Sequence, residues 1–224
     1  MVVVQTAQVM VVMNAVDAQS NLLNLKFDEF DLKLKDFAKE NDVPIIFDEG
    51  LAFLETIIRL YKPKRILEIG TAIAYSAIRM HKVCGSYVTT IERNEKMYNQ
   101  ACLNVKERGF DEYIKCIYKD ALEAFEDVKD QTFDMIFIDA AKAQYTKFFD
   151  LYTPLLSKGG IVVCDNMLFH GLVENSEEYM NQTRAVRGLI RKLANFHRVL
   201  LENEDYDTSI FEIGDGMAVS VKKD

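Results

Sequence analysis

Four apolar runs in this chain each end on a carboxylate residue. The runs RILE, YVTTIE, DMIFID and IVVCD end at Glu68, Glu92, Asp139 and Asp165. Short apolar runs are typical of strands that are buried on both faces of a parallel sheet. Because ligands of such sheets bind beyond the carboxyl ends of the strands, we expect the four acids to converge on one site. The pattern predicts an enzyme with charged or metal-assisted chemistry.

The first part of this pattern is typical of a nucleotide site. Gly70 directly follows the first strand, where a glycine lets the backbone turn tightly against a ligand. Glu92 ends the next strand, where a carboxylate commonly accepts hydrogen bonds from both ribose hydroxyls, and Asp120 is placed to reach an adenine edge. Ala72 and Ile73 interrupt the glycine pattern of pyrophosphate binders, which disfavours a dinucleotide. The alternative is that these acids are solvated or cap helices.

The second part of the pattern is typical of a metal site. Asp139 ends one predicted strand, and Asp165 and Asn166 end the next. Two carboxylates and an amide oxygen are hard ligands that suit Mg²⁺ or a similar divalent cation and leave about three octahedral positions for water and substrate. Asp165 and Asn166 alone would be read as an Asx turn. The matching Asp139 on the neighbouring strand favours the metal site.

Helices and strands alternate along the chain, which predicts an α/β fold with a parallel sheet. Apolar residues recur at helical spacing in three windows: Leu54, Ile57, Ile58 and Tyr61; Tyr98, Ala101, Cys102 and Val105; and Tyr145, Phe148, Phe149 and Tyr152. The predicted strands lie near residues 65 to 69, 87 to 91, 114 to 118, 134 to 138 and 161 to 164. Gly109 is expected to cap a helix over 94–108, and Gly159-Gly160 to turn the chain into a strand.

The C-terminal region has a hairpin pattern. Two β-rich runs, 208–213 and 217–221, flank Gly214-Asp215-Gly216. This pattern predicts that the sheet ends with an antiparallel edge strand.

Length and composition favour a single cytoplasmic domain. The chain has 224 residues, 49% of them hydrophobic. Its cysteines show no CxxC pair and are expected to be reduced core thiols: Cys84, Cys102, Cys116 and Cys164. Residues 1–20 are expected to be an N-terminal arm or a disordered tail, and residues 21–224 one domain that begins with helices. No membrane association is expected.

Several motifs resemble those of known methyltransferases. The ordered set Glu68, Gly70, Glu92 and Asp120 resembles class I S-adenosylmethionine-dependent methyltransferases. Across residues 43–222, the segments VPI, LEIGTAIAYSA, IERN, KDAL, FIDAAK, GGIVVCDN, RAVR and GDGM resemble the catechol and caffeoyl-coenzyme A O-methyltransferase family. The chain departs from the family pattern at Ala74, where many members have glycine.

The resemblance implies a Rossmann-like, doubly wound fold with a seven-stranded, mostly parallel sheet, an antiparallel C-terminal strand and N-terminal helices. It also implies S-adenosylmethionine and Mg²⁺, or Mn²⁺ or Ca²⁺, as cofactors, and a homodimer that forms through the arm and the helices between Leu22 and Tyr61. The implied cofactor-binding residues are Val43, Glu68, Gly70, Tyr75, Ser76, Glu92, Asp120, Ala121 and Asp139. The implied metal ligands are Asp139, Asp165 and Asn166. Lys142 matches the family lysine that receives the substrate proton or stabilises the oxyanion. Lys142 and Asp139 are therefore the expected catalytic residues. The alternative for Lys142 is an exposed lysine at a helix start.

Within this family, the segments ENDVPII, KRILEIGTAIAYSAIRM and TRAVRGL resemble bacterial methyltransferases of tRNA 5-hydroxyuridine. That resemblance implies the tRNA anticodon loop as the partner and the wobble position as the target. Independently, the segment 184–198 carries basic residues and no acid in a chain of net charge −8. The expected RNA contacts are Arg184, Arg187, Arg191 and Lys192, with Phe169 and His170 as candidates to line a base pocket.

Two other functions fit the same residues. The first is a methyltransferase of small catechols or phenols that uses the same metal site. The second is an inactive RNA-binding module that only binds the cofactor, which the intact set Asp139, Asp165 and Asn166 disfavours. The basic segment could also be the solvated face of a helix, because Val186, Leu189, Ile190 and Leu193 define an apolar side.

Overall fold

The computed structural model describes residues 25–168 and 176–223, and within these ranges seven strands form one sheet. The strands are β1 (Arg65–Ile69), β2 (Tyr87–Glu92), β3 (Ile114–Tyr118), β4 (Phe133–Ile138), β5 (Leu156–Cys164), β6 (Tyr206–Phe211) and β7 (Met217–Lys222). Their order is β3-β2-β1-β4-β5-β7-β6. Strands β1 to β5 are parallel, and β7 runs antiparallel to both β5 and β6. The predicted fold class and the C-terminal hairpin are confirmed; β6 forms the sheet edge, because β7 pairs with β5.

Helices cover the sheet. They are α1 (Glu29–Glu40), α2 (Asp48–Tyr61), α3 (Tyr75–Cys84), α4 (Glu95–Arg108), α5 (Tyr145–Tyr152), α6 (Glu177–Met180) and α7 (Arg184–Leu201). Short 3₁₀ turns occupy Ala124–Asp127, Lys142–Gln144 and Thr153–Leu155. Gly109 ends α4 at a φ of 75°, as predicted, because a left-handed C-cap favours glycine. The predicted arm over residues 1–20 lies outside the described residues.

Two apolar layers sandwich the sheet, since successive strand residues point to opposite faces. Ile66 of β1 packs in the layer that α1 to α4 cover, and the next residue, Leu67, packs in the layer that α5 and α7 cover. Both side chains are fully buried. This burial on both faces explains why the strands read as continuous apolar runs.

A buried ion-pair network holds the N-terminal helices against α3. The Arg79 guanidinium donates hydrogen bonds to Asp31 of α1 (2.6 Å) and to Glu55 of α2 (2.8 Å from Nε), and it also donates to the Lys26 carbonyl oxygen. Arg79, Asp31 and Glu55 are each at most 3% exposed, so loss of one partner would leave an uncompensated buried charge. The network therefore fixes the position of α3, whose first residues form a wall of the site described below.

Two local predictions were wrong. Gly159 and Gly160 lie within β5 rather than before it. The register of β4 and β5 shifts between the pairs Phe133–Leu156 and Met135–Ile161, and the extra residues of β5 between these pairs form a bulge. Among the cysteines, only Cys164 is a buried core thiol. Cys84 is exposed, because it ends α3 at the surface, and Cys102 and Cys116 are half-buried.

Candidate active site

A cleft of about 470 Å³ lies at the carboxyl ends of the parallel strands, where the sequence placed the site. Most of the predicted site residues line it: Val43, Gly70, Tyr75, Ser76, Glu92, Asp120, Ala121, Asp139, Lys142 and Asn166. Glu68 and Asp165 are 0% and 2% exposed, so their side chains lie beneath the cleft surface. The structure therefore brings the four strand-end acids to one edge of the sheet but at two different depths.

The loop after β1 approaches β4 very closely. A Cβ at Gly70, where φ is 101°, would lie 2.0 Å from the Asp139 carbonyl oxygen, so only glycine fits there. Ala72 and Ala74 also have positive φ values, 46° and 64°, which are strained for residues with a Cβ. Such strain concentrates at functional sites, and here it shapes the floor of the cleft. Ala74 is fully buried, so its methyl group packs in the core under the loop.

Glu68 supports this loop from below. Its carboxyl oxygens accept hydrogen bonds from Ser76 Oγ and Thr90 Oγ1, both at 2.5 Å. Thr90 Oγ1 in turn lies 2.5 Å from Thr71 Oγ1, which connects the acid to the loop. Burial raises the pKa of Glu68 to about 8, because the low-dielectric interior disfavours the charged form. In this structure Glu68 orders Ser76 and Thr71 at the cleft wall, and direct contact with the cofactor stays a prediction.

Glu92 ends β2 and Asp120 follows β3, and both residues line the cleft. Glu92 accepts hydrogen bonds from the backbone amides of Ala72 (2.9 Å) and Asn94 (2.8 Å), so it also braces the β1 loop. Asp120 accepts a hydrogen bond from the Leu122 amide and lies 3.7 Å from the Arg93 guanidinium. Each carboxylate oxygen keeps a lone pair for a further donor. Both acids line the cleft, and their contact with ribose and adenine stays a prediction.

Asp139, Asp165 and Asn166 lie close together at the ends of β4 and β5. Burial raises the pKa of Asp139 to about 6 and that of Asp165 to about 7, and the Asp139 charge raises the Asp165 pKa further. Asp165 Oδ1 accepts a hydrogen bond from the Asn166 amide at 2.6 Å, but its buried Oδ2 has no hydrogen-bond partner. Asn166 has a φ of 58°, and its Oδ1 accepts a hydrogen bond from Lys142 Nζ at 2.8 Å.

These three residues fit a hard divalent cation. An orphaned buried carboxylate oxygen is costly unless a ligand satisfies it, and Asp165 Oδ2 is such an atom. In residues 25–168 and 176–223, no three His, Cys, Asp or Glu side chains are grouped to share one metal ion. A metal site here would need the Asn166 amide oxygen as its third protein ligand, and this ligand set stays a prediction.

Distant segments brace the loop that carries Asp165 and Asn166. The Tyr145 hydroxyl donates to the Asp165 carbonyl oxygen (3.1 Å), and His197 Nε2 of α7 lies 2.7 Å from the Met167 carbonyl oxygen. The Leu168 amide donates to the Asp215 carbonyl oxygen (2.8 Å). Sequence reasoning read Asp215 as part of a turn and of the GDGM motif but did not name it as a site residue, yet it lines the cleft. Its one sequence signal is an acid between two glycines.

The predicted RNA-contact residues lie on α7. Arg184, Arg191 and Lys192 are exposed and line a groove together with Ala143, the neighbour of Lys142. Arg187 instead donates to the Met180 carbonyl oxygen (3.1 Å). Of the residues expected on the apolar side, Ile190 and Leu193 are buried, whereas Val186 and Leu189 are half-buried. Phe169 and His170, the candidates to line a base pocket, lie outside the described residues.

Comparison with known proteins decides the family. A family model described as O-methyltransferase matches residues 32–223. The chain belongs to this O-methyltransferase family. A catechol O-methyltransferase of Niastella koreensis is 32% identical over 76% of this chain and 79% of its own length. This O-methyltransferase uses S-adenosylmethionine and is of the caffeoyl-coenzyme A and catechol type.

Solved structures agree with this assignment. A Staphylococcus aureus protein with a provisional caffeoyl-CoA O-methyltransferase name is 39% identical, with a TM-score of 0.83, over 94% of this chain and 98% of its own. A methyltransferase of Podospora anserina, solved with S-adenosylhomocysteine, shares the fold at 24% identity and a TM-score of 0.81, over 95% of this chain and 96% of its own. Among the described residues of the O-methyltransferase, no helix has the length and apolar character needed to cross a bilayer.

Proposed function

We propose that this O-methyltransferase depends on a divalent cation, Mg²⁺ or alternatively Mn²⁺ or Ca²⁺, and methylates 5-hydroxyuridine at the wobble position of tRNA to 5-methoxyuridine. The cation would be held by Asp139, Asp165 and Asn166. The single observation that supports the metal requirement is the buried Asp165 Oδ2 atom, which lacks a hydrogen-bond partner. Asp139 and Asn166 would supply the two further oxygen ligands. Both acids have a raised pKa, so a cation would favour their charged forms.

The residues around this site suit a direct displacement. When bound, the cation supplies Lewis-acid chemistry that lowers the pKa of a substrate hydroxyl. The hydroxyl oxygen then attacks the sulfonium methyl carbon in line, which breaks the S–CH₃ bond and yields a methyl ether and S-adenosylhomocysteine. Lys142 Nζ, 2.8 Å from Asn166 Oδ1, is placed to stabilise the oxyanion or to pass the hydroxyl proton to solvent.

The basic groove of α7 supports an RNA substrate. Arg184, Arg191 and Lys192 lie beside Ala143, so the groove adjoins the cleft residue Lys142. Three exposed cations close to the cleft of a chain with net charge −8 are suited to bind phosphates locally. A 5-hydroxyuracil also has neighbouring oxygens, O4 and O5, that one cation can chelate. A base in a single-stranded anticodon loop can be splayed into such a cleft.

A small catechol or phenol is the second candidate substrate. The observation that favours it is the 32% identity to the Niastella koreensis catechol O-methyltransferase. A catechol presents the same pair of adjacent oxygens but no phosphate, so the basic groove would then be ordinary surface.

A homodimer is the proposed assembly. The N-terminal helices carry exposed apolar side chains that support it, notably Leu32 (49% exposed) on α1 and Leu60 (77% exposed) on α2. Sedimentation of the purified chain at several concentrations would measure the assembly directly. A concentration-independent monomer would contradict this part of the proposal.

The test is methyl transfer from labelled S-adenosylmethionine to tRNA that carries 5-hydroxyuridine and, in parallel, to catechol, each with Mg²⁺ or with chelator. Mg²⁺-dependent label at the wobble uridine would support the proposal. Label on catechol alone would identify the small-molecule branch, and transfer to tRNA that the chelator leaves unchanged would contradict the metal requirement.

Charge reversal tests the groove separately. Arg191→Glu with Lys192→Glu should raise the KM for tRNA while the rate with catechol stays unchanged. The slope of log KM against log salt should fall by about 1 for each phosphate that the groove no longer neutralises. Lys39→Glu, an exposed lysine at the end of α1, is the matched control. Equal effects of Lys39→Glu and the groove variant would refute the specific role of α7.

A further inference from the structure

A buried arginine lies behind one wall of the cleft. This wall, called here the N-terminal wall, consists of the α1–α2 connection, residues 43–47, and of Tyr75 and Ser76 at the start of α3. Arg79 is four residues after Tyr75, so the two side chains share one face of α3. Arg79 is only 3% exposed and does not itself line the cleft. Its effect on a bound ligand must therefore act through the residues of the wall.

The Arg79 guanidinium is held in one orientation. Its Nη1 donates to Asp31 Oδ2 (2.6 Å) and to the Lys26 carbonyl oxygen (2.9 Å), and its Nε donates to Glu55 Oε1 (2.8 Å). The guanidinium carbon also lies 5.1 Å from the centre of the Phe27 ring. A planar fork with fixed donors on its edges and an aromatic ring beside it has little freedom to turn.

These partners lie on both helices that flank the α1–α2 connection. Asp31 belongs to α1 and Glu55 to α2, whereas residues 43–47 join the two helices. The connection follows directly from α1, because the Val43 amide donates to the Ala38 carbonyl oxygen (2.9 Å). Contacts that fix both helices against α3 therefore also fix the distance between the two parts of the N-terminal wall.

The wall residues of α3 do not make this connection with their own polar groups. Tyr75 is 1% exposed, and its buried hydroxyl has no hydrogen-bond partner. Ser76 Oγ donates to Glu68, which ties it to β1 rather than to α1 or α2. Arg79 thus supplies directional contacts between α3 and the two N-terminal helices that Tyr75 and Ser76 lack.

Folding stability alone is a weak reason for this arrangement. Desolvation of buried charges largely cancels the attraction within an ion pair, and apolar side chains of similar volume often stabilise a core equally well. The buried arginine adds direction, because its fork bonds carboxylates of two different helices at once. Lys82, one turn later, bonds only acids at the start of α1, at 2.6 and 3.0 Å.

We propose that Arg79 is a positioning residue for S-adenosylmethionine, because it holds residues 43–47 at the distance from Tyr75 and Ser76 that the bound cofactor requires. The cleft suits this cofactor, since it has a volume of about 470 Å³ and the Glu92 carboxylate lines it. Without the fork, the free protein would sample other wall distances, and binding would have to restore the right one. The inference depends on the cofactor of the family and not on the proposed metal or acceptor.

The test measures calorimetric binding of S-adenosylhomocysteine together with unfolding in urea. Arg79→Lys keeps the positive charge but replaces the planar fork by one ammonium group, which cannot reproduce the bonds to both helices. We expect the Kd for S-adenosylhomocysteine to rise about tenfold. Arg59→Lys is the matched control, because exposed Arg59 donates to the same Glu55 (2.6 Å) within α2. It should change the Kd by less than about twofold.

Hydrogen exchange gives a second readout that does not require turnover. The amides of Val43 and Leu51, hydrogen-bonded at the two ends of the α1–α2 connection, should exchange faster in Arg79→Lys without ligand, whereas amides of β4 and β5 should not. Saturating S-adenosylhomocysteine should restore their protection. If Arg79→Lys does not fold, Glu55→Gln serves instead. It keeps the volume and one acceptor oxygen for Arg79 and should raise the Kd about threefold.

Three results would overturn the inference. The first is an unchanged Kd together with a lower free energy of unfolding in Arg79→Lys, which would assign the arginine to stability alone. The second is an equal rise of the Kd in Arg59→Lys and Arg79→Lys. The third is faster exchange throughout the sheet, which would show a global rather than a local loss of order. Failure to methylate 5-hydroxyuridine would contradict the proposed function but leave this inference intact.

Discussion

Replacement of Glu68 by Gln should remove a large part of the pH dependence of folding stability. Glu68 is fully buried, and its pKa is raised from 4.5 to about 8 by burial. Between these two pH values the folded state holds a proton that the unfolded chain has lost, so the free energy of unfolding decreases as pH rises. Below pH 4.5 this contribution is fully present, and it is lost as pH rises through about 8.

The magnitude follows from the two pKa values. Each unit of difference is worth about 1.4 kcal/mol, so the group can change stability by roughly 5 kcal/mol in total. Between about pH 5.5 and pH 7.5 the expected loss is roughly 2 to 3 kcal/mol. The substituted glutamine would keep the packing, since its amide oxygen can accept from Ser76 Oγ and its amide NH₂ can donate to Thr90 Oγ1, whose hydroxyl can turn to donate to Thr71 Oγ1.

The assay is urea unfolding from pH 5.5 to 8.5 in the presence of chelator, with the m-value compared at each pH. The stability of Glu68→Gln relative to wild type should rise by roughly 2 to 3 kcal/mol between about pH 5.5 and 7.5. Glu95→Gln, an exposed acid at the start of α4, controls for the removal of one carboxyl group. Parallel stability curves for Glu68→Gln and wild type would show that Glu68 titrates alike in both states and refute the reasoning.

Three further predictions concern the site. Asp165→Asn should raise the half-saturating Mg²⁺ concentration more than about tenfold in the methyl-transfer assay, and unchanged metal dependence would count against the proposed ligand set. His197→Leu should weaken Mg²⁺ activation by about tenfold. His197→Gln should have a smaller effect, because glutamine keeps an N–H donor for the Met167 carbonyl oxygen. Equal effects of the two variants on Mg²⁺ activation would assign His197 to packing alone. Ala72→Gly should raise the free energy of unfolding, measured in urea, by about 0.5 kcal/mol. Relief of the backbone strain at a φ of 46° should outweigh the added entropy of the unfolded state. A clear decrease in the free energy of unfolding would contradict this prediction.

Sequence alone predicted many of the elements and the edge of the sheet at which the cleft lies. The period of apolar residues located α2, α4 and α5, and the apolar runs located the five parallel strands, because both signals depend on neighbours within one element. The acids at the strand ends then followed, since parallel strands end at a common edge. The glycine-rich turn likewise predicted the β6–β7 hairpin.

Tertiary structure decided how deeply each candidate site residue is buried and which residues it contacts. Glu68 lies one residue before the end of β1 and Glu92 ends β2; Glu68 is sealed under the loop by Ser76 and Thr90, while Glu92 faces the cleft. The apolar runs alone do not predict this difference, because depth depends on which distant segments pack above each residue. The bulge at Gly159 and the exposed Cys84 escaped prediction for the same reason.

The role of the C-terminal hairpin shows this division most clearly. Its turn is determined by Gly214 and Gly216, which alone accept the positive φ values that the chain adopts there. The burial of Asp215 in the cleft instead requires β7 to insert between β5 and β6, so that the turn meets the loop after Asn166. Backbone preference is local and can be read from residue types, whereas the proximity of segments far apart in the chain arises only when the sheet and its two apolar layers assemble.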